Sequence, residues 1–213
     1  TLLYARLSTV NSDAVAQKLM ALEGGEDAET FSSGMGAISA TLMALLNQGD
    51  HMVASADIYG GTYGLLTEEF PRFGISTTMA DMRDPASYEA AIQDNTKLLY
   101  IETLTNPVLK VCDIEAMADV AKRHNLLLLI DNTFASPWGC KPLDMGVDLV
   151  LHSTTKYLGG HSDILGGAVV GSKDLIAQIF MRKVHFGAAP DPHSCYLLER
   201  GMRTLDVRMP RLC

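Results

Sequence analysis

Short stretches of this chain are apolar without a break and then turn abruptly polar. Leu98–Ile101 runs into Glu102, Leu126–Ile130 into Asp131, and Leu149–Leu151, inside Asp148–His152, into His152. Runs this short suit strands, and a strand with no polar alternation must be covered on both faces. The chain supplies the cover. Asp13–Glu23 carries Val15, Leu19 and Leu22 at helical spacing, with Asp13 placed to cap it and Gly24-Gly25 to stop it. Gly36–Leu46 is helical in pattern, Pro85–Gln93 opens on a proline suited to a first helical position, and Asp113–His124 gathers Ile114, Met117, Ala118 and Ala121 on one face before Asn125 ends it. His51–Ser55 and Ile75–Ala80 read as further strands, and Cys195–Cys213 as one last helix. Strands alternating with helices predict an α/β fold: a mostly parallel central sheet with helices on both faces. A chain of 213 residues is long enough to bury such a core.

Composition removes several function classes. The net charge of −8 disfavours a polyanionic partner, so no nucleic acid is expected. No apolar run approaches the roughly 20 residues of a membrane span. Thr1–Val10 lacks the apolar centre of a secretory signal, which gives the expectation of a cytoplasmic protein. Cys112, Cys140, Cys195 and Cys213 form no C-x-x-C pair and read as reduced thiols. The histidines have no zinc-binding spacing, so no metal is expected.

In an open parallel sheet, ligands bind beyond the carboxyl ends of the strands. Four segments qualify: Glu102-Thr103-Leu104-Thr105-Asn106-Pro107, Asp131-Asn132-Thr133, His152-Ser153-Thr154-Thr155-Lys156, and Ser32-Ser33-Gly34-Met35 at the head of a helix. Alone, Lys156 reads as a surface lysine, Asn106-Pro107 as a turn, Tyr59 as a rim aromatic, and Asp131 as a helix cap or an arginine partner. Together they suggest more. A lysine at the mouth of such a crevice can attack a carbonyl. The Ser153 and Thr155 hydroxyls and the backbone N–H groups after Ser33 suit a phosphate. Asp131 can face a ring nitrogen. An amine, a phosphate cradle and a carboxylate are what pyridoxal phosphate requires. Gly34-x-Gly36 lacks the third glycine of a dinucleotide fingerprint, which speaks against a nicotinamide enzyme.

At these residues the chain resembles the pyridoxal phosphate enzymes of cysteine and methionine metabolism. That group includes cystathionine γ-lyase, methionine γ-lyase, cystathionine γ-synthase and O-acylhomoserine sulfhydrylase. The resemblance is carried, in order, by Tyr4-Ala5-Arg6, Ser33-Gly34-Met35-Gly36-Ala37, Tyr59-Gly60-Gly61-Thr62-Tyr63, Glu102-Thr103-Leu104-Thr105-Asn106-Pro107, Asp131-Asn132-Thr133-Phe134, Ser153-Thr154-Thr155-Lys156-Tyr157 and Gly201-Met202-Arg203-Thr204-Leu205. It implies a fold type I large domain over residues 13–195. It also implies an arm over 1–12 that touches a neighbouring subunit, and over 196–213 the start of a helix leading to a C-terminal domain outside this chain, which would be a fragment.

The resemblance further implies that Lys156 holds the cofactor as a Schiff base and moves protons, that Asp131 pairs with the pyridine nitrogen, and that Tyr59 stacks on the ring and serves as acid or base. Gly34, Met35, Ser153 and Thr155 would bind the phosphate. Asn106 would sit near the ring hydroxyl with Thr133 beside it, and Tyr4 and Arg6 would reach the phosphate of a neighbouring subunit in a homo-oligomer, a tetramer of site-sharing pairs. The implied activity is γ-elimination on a small sulfur amino acid. γ-Replacement is the alternative, and an inactive cofactor-binding domain is a third reading. Two departures stand out. Leu7-Ser8-Thr9-Val10-Asn11 replaces the family's Gly-Asn-Pro-Thr, so the arm lacks a pre-proline restraint and is expected to be arranged differently. Gly61 stands where methionine γ-lyases usually carry cysteine, which tilts away from a dedicated methionine γ-lyase.

Overall fold

The structure, a computed structural model, describes residues 4–213; the first three residues of the expected arm lie outside the described residues. Its strands are β1 (Asp27–Phe31), β2 (His51–Ser55), β3 (Ser76–Ala80), β4 (Thr96–Glu102), β5 (Leu127–Asp131), β6 (Leu149–His152) and β7 (Gly167–Gly171). Its helices are α1 (Val10–Glu23), α2 (Gly34–Leu45), α3 (Gly60–Gly64), α4 (Pro85–Ala90), α5 (Ile114–Arg123), α6 (Ser136–Gly139), α7 (Lys173–Phe186), α8 (Pro192–Met202) and α9 (Leu205–Leu212). One seven-stranded sheet runs in the order β1-β7-β6-β5-β4-β2-β3. The block from β3 to β6 is parallel, whereas β7 runs antiparallel to both β6 and β1.

The alternation along each central strand decides which helices it meets. Leu98, Tyr100, Leu129, Leu149, Leu151 and Val169 face α2 and α7 through Ile38, Leu42, Ile176 and Ile179. Leu99, Ile101, Leu128, Ile130 and Val150 face Tyr88, Ile114, Met117 and Val120 of α4 and α5 on the other side. At the β1–β7 end that second side is covered instead by α1, α8 and α9. Burying both faces of a strand such as Leu127–Asp131 contributes roughly 1.5–3 kcal/mol per fully buried leucine, which is why these runs are apolar throughout.

The structure corrects several expectations. α1 begins at Val10, ahead of Asp13, because Thr9 caps it: the Thr9 hydroxyl accepts from Ser12 N–H at 3.1 Å and Ser12 Oγ accepts from Thr9 N–H at 2.9 Å. The segment before it folds into a turn, with Leu7 and Ser8 N–H donating to Tyr4 O at 2.9 and 3.3 Å. Cys195–Cys213 lies in two helices: the chain turns after α8 with Thr204 N–H and Oγ1 on the Gly201 carbonyl at 3.3 and 3.2 Å, and the Arg208 guanidinium of α9 reaches the same carbonyl at 2.9 Å. β1 and β7 are strands beyond those expected: β1 holds two acids, and in β7 only Ala168-Val169-Val170 stands between glycines. Gly167 has a reason of its own. A Cβ there would lie 2.1 Å from the carbonyl oxygen of Ser33, so β7 passes directly against the backbone that leads into α2. Among the described residues, no helix is long and apolar enough to cross a membrane, no metal-binding cluster occurs, and all four cysteines are free thiols.

Gly167→Ala therefore forces backbone against backbone. The expected loss of unfolding free energy is about 1–3 kcal/mol, read from the urea midpoint at constant slope. An unchanged midpoint would show that β7 has room the structure does not give it.

Candidate active site

The sheet places the carboxyl ends of β4, β5 and β6 side by side, and the polar residues after them form the floor of a pocket of about 220 Å³. Ser33, Gly34 and Met35 enter from the head of α2, Tyr59 from the loop after β2, Glu102 and Asn106 from β4 and its loop, and Asp131 and Thr133 from β5. Ser153, Thr155 and Lys156 follow β6, so the four segments singled out in the sequence do meet in one crevice. Lys156, Thr155, Phe134 and Leu165 also line a wider cleft of about 1040 Å³, walled on its far side by α9. Lys156 is exposed at the junction of the two spaces.

One hydroxyl ties two strand ends together. Thr133 Oγ1 donates to Asp131 Oδ1 at 2.5 Å and accepts from the backbone N–H of Ser153 at 2.8 Å. Thr133 N–H adds a second bond to the same carboxylate oxygen at 3.0 Å, closing an Asx turn. Thr133 thus bridges Asp131 to the Ser153 segment. The carboxyl of Asp131 keeps some exposure to the pocket but is closely packed by protein elsewhere. That burial pushes its pKa up, against the two Thr133 bonds that pull it down.

Beneath this floor, on the opposite side of the sheet, lies a fully buried polar network. Glu23 Oε1 is 2.5 Å from His152 Nε2 and accepts from Asn132 Nδ2 at 3.1 Å. Asn132 also donates to Cys140 O at 3.0 Å and accepts from Thr103 Oγ1 at 2.7 Å. Glu23 Oε2 and His152 Nδ1 have no partner among the described residues. A network this dry is rigid when satisfied and expensive where it is not. It anchors the residues that directly follow Asp131 and directly precede Ser153.

The head of α2 is held by Ser33, whose Oγ accepts from Gly36 N–H at 3.0 Å. The N–H groups of Gly34 and Met35 then find no acceptor among the described residues. A Cβ on Gly34 would lie 2.8 Å from Ser153 Cβ, so glycine is required for the α2 backbone to reach this strand end. Thr155 is less free than the sequence suggests: its hydroxyl accepts from Gly166 N–H at 3.1 Å and donates to Gly166 O at 3.3 Å. Tyr4 and Arg6 lie outside the pocket. Arg6 Nη1 donates to Val184 O at 2.6 Å and its guanidinium sits 5.2 Å over the Tyr4 ring, which is exposed. His161 Nδ1 contacts Gly159 O at 2.8 Å and fixes its own loop.

Glu102 is a pocket residue that motif spacing alone did not single out as functional. It is buried, and its Oε1 accepts the backbone N–H of Tyr59 at 2.8 Å, so it sets the position of the aromatic rim residue. Burial first, and the neighbouring Asp131 second, push its pKa up to about 8. The available signal was an acid placed directly after four apolar strand residues. In the cofactor-free protein the folded state holds this proton through a range in which the unfolded chain has released it. Stability is therefore expected to fall as pH rises from about 4.5 to about 8, with a slope of up to about 1.4 kcal/mol per pH unit for one proton. Glu102→Gln should flatten that slope in urea titrations across the range. A parent slope of zero, or one unchanged by the substitution, would contradict the placement.

The chain matches the family described as Cys/Met metabolism PLP-dependent enzyme over residues 1–212. It is 44% identical to the L-methionine gamma-lyase of Porphyromonas gingivalis, across 99% of this chain and 54% of that one. It is 45% identical to a protein named probable cystathionine gamma-synthase from Herpetosiphon aurantiacus, across 97% of this chain and 65% of that one. Among solved structures, the cystathionine gamma-lyase of Lactobacillus plantarum complexed with L-serine superposes with a TM-score of 0.94 at 44% identity, over 97% of this chain and 54% of that one. The chain thus spans about half the length of such relatives, or up to 65% in the synthase. Motifs and these likenesses agree: the chain belongs to the pyridoxal phosphate-dependent enzyme family of cysteine and methionine metabolism.

Proposed function

We propose that the protein is a carbon–sulfur lyase that performs γ-elimination on cystathionine, homocysteine or methionine. The observation that carries this reading is the convergence in one pocket of the Lys156 amine, the Asp131 carboxyl and the acceptor-free N–H groups at the head of α2. These residues fit pyridoxal phosphate. Asp131 has hydrogen bonds from Thr133 and no cation partner among the described residues, and a protonated ring nitrogen supplies that partner. The Gly34 and Met35 N–H groups and the Ser153 hydroxyl offer donors for a phosphate at a helix N-terminus. Bound pyridoxal phosphate supplies an aldehyde that condenses with amines and a ring that takes up the electron pair left when a substrate proton departs.

The chain's own residues do the rest. Lys156 Nζ would hold the cofactor through its aldehyde carbon and, once the substrate amine has taken that place, would be free to take the proton from the substrate α carbon and to act again at the β carbon. Asp131 would keep positive charge on the ring nitrogen. Tyr59 would cover the ring, with its hydroxyl available to protonate the departing γ sulfur. Thr133 and Asn106 would border the ring hydroxyl, and Thr155, whose hydroxyl is held by Gly166, would border the phosphate end. Water then replaces the substrate nitrogen, so the products are a thiol, ammonia and a 2-oxo acid. Tyr4 and Arg6, which do not line this chain's own pocket, are assigned to a neighbouring subunit's phosphate in a homo-oligomer of site-sharing pairs, assembled as a tetramer.

γ-Replacement on an O-acylhomoserine is the second reading, favoured by a synthase relative as similar as the lyase one. Assays of the whole protein separate them. The lyase reading expects 2-oxo acid release from cystathionine to exceed cystathionine formation from cysteine and an O-acylhomoserine; the reverse ratio selects the transferase. In either case Lys156→Ala and Asp131→Asn should each lower turnover by about a hundredfold or more. Near-parent rates would remove the assigned role.

A further inference from the structure

We propose that Arg208 is the positioning residue for Lys156, acting through the main chain of the turn that carries the lysine. The proposal rests on the reading of Lys156 as the amine that holds the cofactor. The turn is tight. Gly160 N–H donates to Lys156 O at 2.7 Å and Gly159 N–H to Thr154 O at 2.9 Å, with Gly160 at a φ of 75°. A contact from outside the turn can fix the far side of such a backbone path.

Arg208 is placed to do so. From the second turn of α9, its Nη1 donates to Tyr157 O at 2.8 Å, the residue next to Lys156. Nη2 donates to Gly201 O at 2.9 Å at the end of α8, and Nε to Thr204 Oγ1 at 3.1 Å. All three guanidinium nitrogens are thereby engaged, and no carboxylate among the described residues pairs with them. Neutral acceptors alone hold this cation, although burial works against its charge and lowers its pKa.

The surrounding glycines make the contact close. A Cβ on Gly160 would lie 2.2 Å from Arg208 Nη1, and a Cβ on Gly201 would lie 2.2 Å from Gly159 O. The guanidinium therefore lies flat on the lysine turn while α8 presses against it. Leu205 and Met209 of α9 share a core cluster with Leu158 and Ile164, which flank the turn, so α9 is docked by apolar contact and Arg208 adds the directional part. Arginine suits the task because its planar fork reaches two carbonyls in a fixed geometry, which an ammonium on a flexible stem does not. The same helix walls the wide cleft beside Lys156, so the lysine and the cleft wall share one rigid support.

The test uses the full protein and pyridoxal phosphate, reading two quantities other than turnover: the rate at which the visible absorbance of captured cofactor appears after mixing, and the dissociation constant. Arg208→Lys keeps the charge and loses the fork. It is expected to slow capture and weaken binding by about tenfold, below the roughly hundredfold rate cost that a 1 Å misplacement can carry. Arg203→Gln, an exposed arginine paired with Glu199 outside the cleft, is expected to match the parent. A merely structural role would lower the melting temperature and leave capture by the folded protein at the parent rate, and that result overturns the proposal. If Arg208→Lys does not fold, Thr204→Val decides in its place: slowed capture supports the proposal and parent-rate capture overturns it. Lys156→Ala separates the underlying reading. If it captures cofactor with the parent's visible band, the cofactor assignment of Lys156 fails first and this proposal falls with it.

Discussion

A single threonine hydroxyl ties the Asp131 carboxylate to the segment that carries Ser153 and Lys156. Thr133 Oγ1 bonds to the Asp131 carboxylate on one side and to the Ser153 backbone on the other, at 2.5 and 2.8 Å. The ladder itself holds β5 to β6, with Asn132 N–H on Leu151 O at 2.9 Å, and the bridge adds the orientation of the acid relative to the segment that carries Ser153 and Lys156. The bridge stays fixed because Asn132 and His152, the immediate neighbours of its two ends, are anchored through the sheet to Glu23. Buried polar groups are costly unless paired. Here they connect α1 to the centre of the sheet, so the helix nearest the N-terminal segment takes part in setting the pocket floor.

The second constraint is closeness of backbone. Gly34, Gly167, Gly159 and Gly201 all stand where a Cβ would meet neighbouring main chain or the Ser153 side chain at under 3 Å. They bring the head of α2, strand β7, the lysine turn and the end of α8 within contact of one another. The pocket is consequently framed by backbone, whose N–H groups and carbonyls are fixed once the fold forms. That framing suits a ligand with a phosphate and a rigid ring, because little needs to be ordered when it binds.

What the sequence reveals follows from where each residue's environment comes from. Leu127–Asp131 is readable because both faces of the strand are buried, which leaves an apolar run as its mark, whereas His51–Ser55, with only Met52-Val53-Ala54 apolar between His51 and Ser55, is marked by the Gly49-Asp50 turn before it. Strand β1 is not readable: Asp27 and Glu29 look like loop residues until Lys183, far along the chain, is seen 2.8 Å from Glu29. Strand β7 leaves a faint mark for a different reason: only Ala168-Val169-Val170 is apolar in it, and Gly167 answers to the backbone of Ser33. The break between α8 and α9 is set where Thr204 and Arg208 both turn back to the Gly201 carbonyl. In the pocket, residues that directly follow strands were legible by position alone. Glu102 was visible as a motif member yet not as a support for Tyr59, because that contact joins β4 to the loop after β2.

The proposed chemistry requires that one particular amine carries the cofactor's aldehyde at the mouth of this pocket. Borohydride reduction of the loaded protein, followed by mass mapping of its peptides, reads that bond directly. The expected result is a pyridoxyl adduct on Lys156. An adduct on any other lysine, or none on a protein shown to have bound the cofactor, would contradict it.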